Sequence, residues 1–151
     1  MDELATPLRL CVRRSLTSVS LELPADVRCV EEAVELMARH CFAGAEPPPT
    51  SRTRFRLRVL LAESISNSIL FGARGDPARR VRVEAALTPH TIRLEVTDDG
   101  PGFNPGDVPD PTLPSRLDRA IGRGLFLIKS LADHVEFNDQ GNTIWMTLPR
   151  S

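Results

Sequence analysis

With 151 residues, 41% of them hydrophobic and 26% charged, the chain has the length and composition of one domain that buries a core without metal or disulfide staples. A net charge of −1 argues against a nucleic-acid binder, which carries a basic excess on one face. No apolar run reaches the roughly 20 residues that span a bilayer, and the N-terminus lacks a basic-then-apolar signal pattern, so a cytoplasmic protein is expected.

One domain is expected over 1–151, with residues 1–6 frayed. Leu8, Leu10 and Val12 alternate with polar neighbours, as do Val19, Leu21 and Leu23, which predicts two strands joined by a turn at Ser15 to Ser18. Pro24 ends the second. Asp26 is placed to cap a helix over Val27 to Cys41, with Val30, Val34, Met37 and Cys41 as its buried stripe. Cys11, Cys29 and Cys41 are odd in number and far apart, without a metal-ligand spacing, so reduced thiols are expected. His40, His90 and His134 stand alone, and Ser15, Ser18 and Ser20 have no base near them, so no hydrolase triad is supported.

After the triple proline Pro47 to Pro49, residues Arg54 to Phe71 read as a long helix that Thr50, Ser51 or Thr53 can cap. Its expected buried stripe is Phe55, Val59, Ala62, Ile65 and Ile69, widened by Leu61 and Leu70, and Gly72 and Gly75 stop it. Glu63 and Asn67 stand four residues apart and therefore project from one face, one turn from each other. Alone, such a pair is ordinary helix surface.

Val81, Val83, Ala85 and Leu87 alternate along one strand and Ile92, Leu94 and Val96 along the next, with Thr88 to His90 turning the chain between them. The second strand runs into Asp98-x-Gly100-x-Gly102. An Asp at a strand end can accept a hydrogen bond from an amino group, and the glycines let backbone approach a flat ring or a phosphate; a plain Asp-Gly turn is the alternative. A loop with four prolines follows, read as a lid over about 103–121. Gly122-x-Gly124 then precedes an apolar-periodic run, Leu125 to Leu131, where a helix N-terminus could face an anion; a flexible loop before a helix is the plain alternative. Val135 and Phe137, a turn at Asp139 to Asn142, and Ile144, Met146 and Leu148 predict a closing hairpin. The expected fold is α+β, a two-layer sandwich of a mixed, mostly antiparallel sheet with helices on one face.

The order Glu-x-x-x-Asn, Asp-x-Gly-x-Gly, loop, Gly-x-Gly resembles the ATP-binding superfamily of gyrase, heat-shock-protein-ninety, histidine-kinase and mismatch-repair ATPases (GHKL, the Bergerat fold) across residues 19–149. Within it, Leu61 to Asn67, Val96 to Phe103, Gly122 to Ile128, Asp133 to Phe137 and Gly141 to Ile144 are similar to the bacterial anti-sigma-factor serine/threonine kinases. The resemblance implies ATP and Mg²⁺. Asn67 would coordinate the metal, Glu63 would be the catalytic base, Asp98 would bind the adenine amino group, and Gly100 and Gly102 would bring backbone against the nucleotide. Gly122, Arg123, Gly124 and Leu125 would hold the phosphates, with Arg123 either reaching the terminal one or facing solvent. There is no P-loop lysine signature, so a different phosphate cradle is required. The same resemblance implies a sigma factor and a STAS-domain antagonist as partners and is compatible with a homodimer; charge and the lack of a spanning run, as above, lead to the expectation of no direct contact with nucleic acid or membrane. One departure is Phe71, where these kinases carry a histidine four residues after the Asn. It favours a rival in which ATP is a structural ligand of a sequestering module. A second rival, the catalytic part of a two-component histidine kinase, lacks a phosphoacceptor helix pair.

Overall fold

A computed structural model describes residues 10–100 and 116–151, with backbone alone for 116–121. Gly102 and most of the expected lid lie outside the described residues. Six strands form, β1 (Cys11–Arg14), β2 (Ser18–Pro24), β3 (Arg80–Leu87), β4 (Thr91–Asp98), β5 (His134–Phe137) and β6 (Thr143–Pro149), and in all but the exposed edge strand β1 apolar and polar side chains alternate. They form one sheet in the order β1-β2-β3-β4-β6-β5, and each described pairing is antiparallel, so the parallel component of a mixed sheet is not found among them.

Register turns the alternation into a wall. Leu21, Val83, Val96 and Ile144 lie in one cross-strand row, and Val19, Ala85, Leu94 and Met146 in the next. All eight are buried. The row Leu23, Val81, Asp98 continues the same face, so the strand period points a carboxylate inward. On the opposite face Trp145 donates its indole N–H to Glu95 at 2.7 Å, and the Arg93 guanidinium stands 5.7 Å from its ring centroid.

Three helices cover the inner face: α1 (Val30–Cys41), α2 (Ser51–Asn67) and α3 (Arg116–Leu131). Asp26 caps the short turn Val27–Cys29 before α1 by accepting from the Arg28 N–H. Thr50 caps α2 through the Thr53 N–H at 3.1 Å. The buried face of α2 is Thr53, Leu57, Leu60, Leu61, Ser64 and Ile65, which corrects the expected stripe. Ile65, Ile69 and Leu61 are buried as expected, but Phe55 is 59% exposed, Leu70 is exposed, and Val59 and Ala62 are half-buried. Helix α2 carries two apolar faces, and hydrophobicity alone does not choose between them.

Two boundaries also differ. Helix α2 widens into a π-turn, Ser68–Gly72, in which the Ala73 N–H reaches the Ser68 carbonyl. Helix α3 starts at Arg116 rather than Leu125, which puts Gly122 and Gly124 inside it. Glycine in a helix costs only about 1 kcal/mol against alanine, so the good helix formers on both sides carry the helix through.

Arg150 fastens the layers together. Its guanidinium donates to the carbonyls of Cys41, the last residue of α1, and Ala43 just beyond it, at 3.1 and 3.3 Å, and to the Thr88 carbonyl in the β3–β4 turn at 3.2 Å. Cations at a helix C-terminus also meet the negative end of its dipole. Arg150→Ala is expected to lower unfolding stability by about 1–3 kcal/mol. Urea titration should show a lower midpoint with an unchanged slope.

Candidate functional site

The end of α2 and the end of β4 meet. A methyl group placed on Gly72 would lie 2.1 Å from Asp98 Oδ2, and one on Gly100 would lie 2.0 Å from the Gly72 carbonyl oxygen. No side chain fits at either position, because the π-turn lays its backbone directly on the Asp98–Gly100 bend. On its other side the same helix meets α3. A methyl on Gly124 would stand 2.9 Å from Glu63 Oε1, 3.2 Å from Asn67 Nδ2 and 3.4 Å from Asn67 Oδ1. Glu63, Asn67, Asp98, Gly100 and Gly124 therefore belong to one neighbourhood, reached from three separate parts of the chain. Arg123 is exposed on α3, Gly122 and Leu125 are buried, and Gly102 is not among the described residues.

Asn67, Asp98 and Leu125 line one small cavity together with Ser64, Ser68 and Thr143. Its volume, about 10 Å³, is at most one water's worth, whereas ligand pockets run to roughly 300–1,000 Å³. Leu125 and Ile128 of α3 line the cavity together with Asp98, and at this size it does not admit a ligand as large as a purine. The backbone N–H groups of Gly122 and Gly124 lie within the helix, so they are not turned toward an anion at a helix N-terminus as expected.

Two polar features mark the cavity. Among the described residues, one buried side-chain nitrogen or oxygen lacks a partner, Asn67 Nδ2. An unsatisfied buried amide costs about 1–3 kcal/mol and suits an acceptor oxygen; turned over, the same amide presents Oδ1 to a hard cation. A phosphate group and its Mg²⁺ therefore fit the chemistry of Asn67, with the Glu63 carboxylate one turn away. The second feature is Asp98 itself, which is 4% exposed. Burial pushes its carboxyl up from 3.8 to about 6, although the Gly100 N–H, 2.8 Å from Oδ1, pulls the other way.

The sequence does not single out Ser64, Ser68 or Thr143 as lining the cavity, nor Gly72 as packing on Asp98. Ser64 and Ser68 are small polar residues on the buried face of an apolar helix, which is a usable signal. Thr143 bonds Thr97 across the sheet at 3.1 Å, and Gly72 is defined by contact with a distant strand; neither has a local signature.

Helices on one face of an antiparallel sheet, with an acid and an amide of the central helix near an acid at a strand end, form the histidine-kinase-like ATPase fold. The family profile described as the histidine kinase-like ATPase domain matches residues 23–148, and the chain belongs to that family. It is 28% identical to the anti-sigma F factor of Oceanobacillus iheyensis over 105 residues, 66% of this chain and 71% of that protein. It is also 28% identical to the anti-sigma F factor of Bacillus cytotoxicus over 109 residues, 68% of this chain and 74% of that protein. With the serine-protein kinase RsbW of Listeria monocytogenes it shares 29% identity over 101 residues, 60% of this chain and 62% of that protein. Among the described residues no helix is long and apolar enough to cross a membrane.

The raised Asp98 carboxyl has a stability consequence. A folded-state value near 6 against 3.8 unfolded means that the folded protein holds the proton more tightly, so this group's contribution falls as pH rises through that window. The loss is complete above the folded value and amounts to on the order of 3 kcal/mol. Asp98→Asn keeps an oxygen for the Gly100 N–H and removes the charge. The variant is expected to gain stability over the parent between about pH 4 and 6 and to hold that advantage at pH 7. Unfolding titrations across pH measure the difference; a variant less stable at pH 7, with a pH dependence parallel to the parent's, contradicts it.

Proposed function

We propose that the protein is an ATP-dependent serine/threonine protein kinase acting as an anti-sigma factor. It would phosphorylate a STAS-domain antagonist and sequester a sigma factor by partner switching, in the cytoplasm. The observation that carries this is that Gly124 packs on Glu63 and Asn67, while Asn67 shares a cavity with Asp98, in a chain of the histidine kinase-like ATPase family. The names of its relatives, anti-sigma F factor and serine-protein kinase, support the regulatory role.

The residues divide the work by chemistry. Asp98, buried and acceptor-rich, would take the adenine amino group, with the backbone of Gly72 and Gly100 packed closely beside it. Asn67 would hold Mg²⁺, which supplies neutralisation of phosphate charge when bound. Gly102, Gly122, Arg123, Gly124 and Leu125 would surround the nucleotide once α3 has withdrawn from the cavity. Glu63 would accept the proton of the attacking hydroxyl as its oxygen bonds to the terminal phosphorus and the bond to ADP breaks. Positioning and charge carry most of such a reaction, which is why so few side chains suffice.

A second reading, ATP binding without transfer, is favoured by Phe71. An aromatic ring can pack at that position but cannot offer the hydrogen bond of a histidine. One experiment separates the two. With labelled ATP, Mg²⁺ and a STAS-domain protein, the parent is expected to label a serine or threonine. Glu63→Gln should lower the rate by about 10²–10⁴ while ATP affinity holds. Tight ATP binding with no label on the acceptor selects the sequestering module instead.

A further inference from the structure

Beside the cavity lies a second feature, the groove between α1 and α2. Val27, Val30 and Val34 form one wall and Phe55, Val59 and Ala62 the other, enclosing about 520 Å³. Val27, in the short turn before α1, is 50% exposed, and Phe55 is 59% exposed on α2, whose core-facing side is already supplied by Leu57, Leu60, Leu61 and Ile65. Along α2 the lining runs from Phe55 to Glu63, so the groove ends on the carboxylate whose Oε1 also faces Gly124. Glu63 is thus shared between the nucleotide-side cleft and the open groove.

We propose that this groove seats the acceptor protein. A segment of it lays two or three apolar side chains against Val30, Phe55 and Val59 and presents its hydroxyl residue at Glu63. This rests on the kinase assignment above, in which phosphates occupy the side of Glu63 that faces Asn67 and Gly124. The hydroxyl must then arrive from another side, and the groove is an approach that ends on the same carboxylate. Charge selects the occupant further. Arg58 is paired with Glu35 through both of its terminal nitrogens, which leaves Glu31 and Glu63 as the net charge of the lining. The occupant therefore carries a lysine or arginine opposite Glu31. A second copy of this chain fits poorly, because a two-fold contact through the groove would set these acids against their own copies.

Phe55→Ser and Glu31→Arg test the proposal, since both residues are exposed and distant from the core. The probe is a STAS-domain protein, assayed for phosphate transfer from labelled ATP and, separately, for binding in the presence of a non-hydrolysable ATP analogue. Each variant is expected to raise the acceptor KM about tenfold or more, with kcat and ATP affinity unchanged. Loss of binding in both variants supports the groove even where the parent transfers no phosphate, an outcome that overturns the kinase assignment alone. Unchanged KM and unchanged binding overturn the groove while leaving the kinase assignment intact. A variant that shifts the monomer–dimer balance in sedimentation and leaves acceptor binding untouched also overturns it, and assigns the face to self-association.

Discussion

The contact between the Asp98 carboxylate and the backbone of Gly72 joins the two layers where chemistry is possible. Strand periodicity sends Asp98 inward beside Val81 and Leu23, into a row that is otherwise apolar. A carboxylate in that position resists ionisation, and its proton affinity rises accordingly. Such a group is retained at a cost to stability, as binding sites commonly are. The absence of a Cβ at Gly72 and at Gly100 lets two backbone segments close on the carboxylate. The π-turn follows Asn67 directly and carries the backbone at Gly72 onto Asp98, which lines the same cavity as Asn67.

From that junction the arrangement of α2 and α3 follows. Gly124 packs on Glu63 and Asn67 because it too lacks a side chain, and Leu125 and Ile128 occupy the adjoining space. The Asn67 amide is left with an unused donor in a buried setting, an imbalance that binding of an acceptor would relieve. A small cavity and an unsatisfied amide lie together, with Leu125 and Ile128 as apolar neighbours. Two glycines inside α3 each take about 1 kcal/mol from the helix relative to alanine, which the helix formers on both sides outweigh.

Much of the fold was legible in the sequence, because period-two alternation in Val81 to Leu87, Ile92 to Val96 and Ile144 to Leu148 has one physical solution. Asp98 extends the alternation of Ile92, Leu94 and Val96, so its inward direction was available to the same rule. The face of α2 was not. Phe55, Val59 and Ala62 form as good an apolar stripe as Leu57, Leu60 and Leu61, and only the second includes the buried Ser64 and Thr53 that a hydrophobic count discounts. Helix α3 begins at Arg116, before the two glycines that suggest a loop, because the helix formers flanking them outweigh their cost. Glu63, Asn67 and Asp98 carried motif signals; Gly72 and Thr143 acquire their positions from partners far away in the chain and had none.

All of this depends on the α2 end and the β4 end forming one nucleotide site beneath α3. The most direct measurement is an amide-resolved NMR titration with Mg²⁺ and a non-hydrolysable ATP analogue. The account predicts that the Asn67 side-chain amide and the Gly72, Gly100 and Gly124 backbone amides shift together, and that Gly122 and Gly124 lose helical chemical shifts on saturation. Shifts confined to a surface away from Asp98 and Asn67, or helical shifts that persist through Gly124 in the saturated protein, would contradict it.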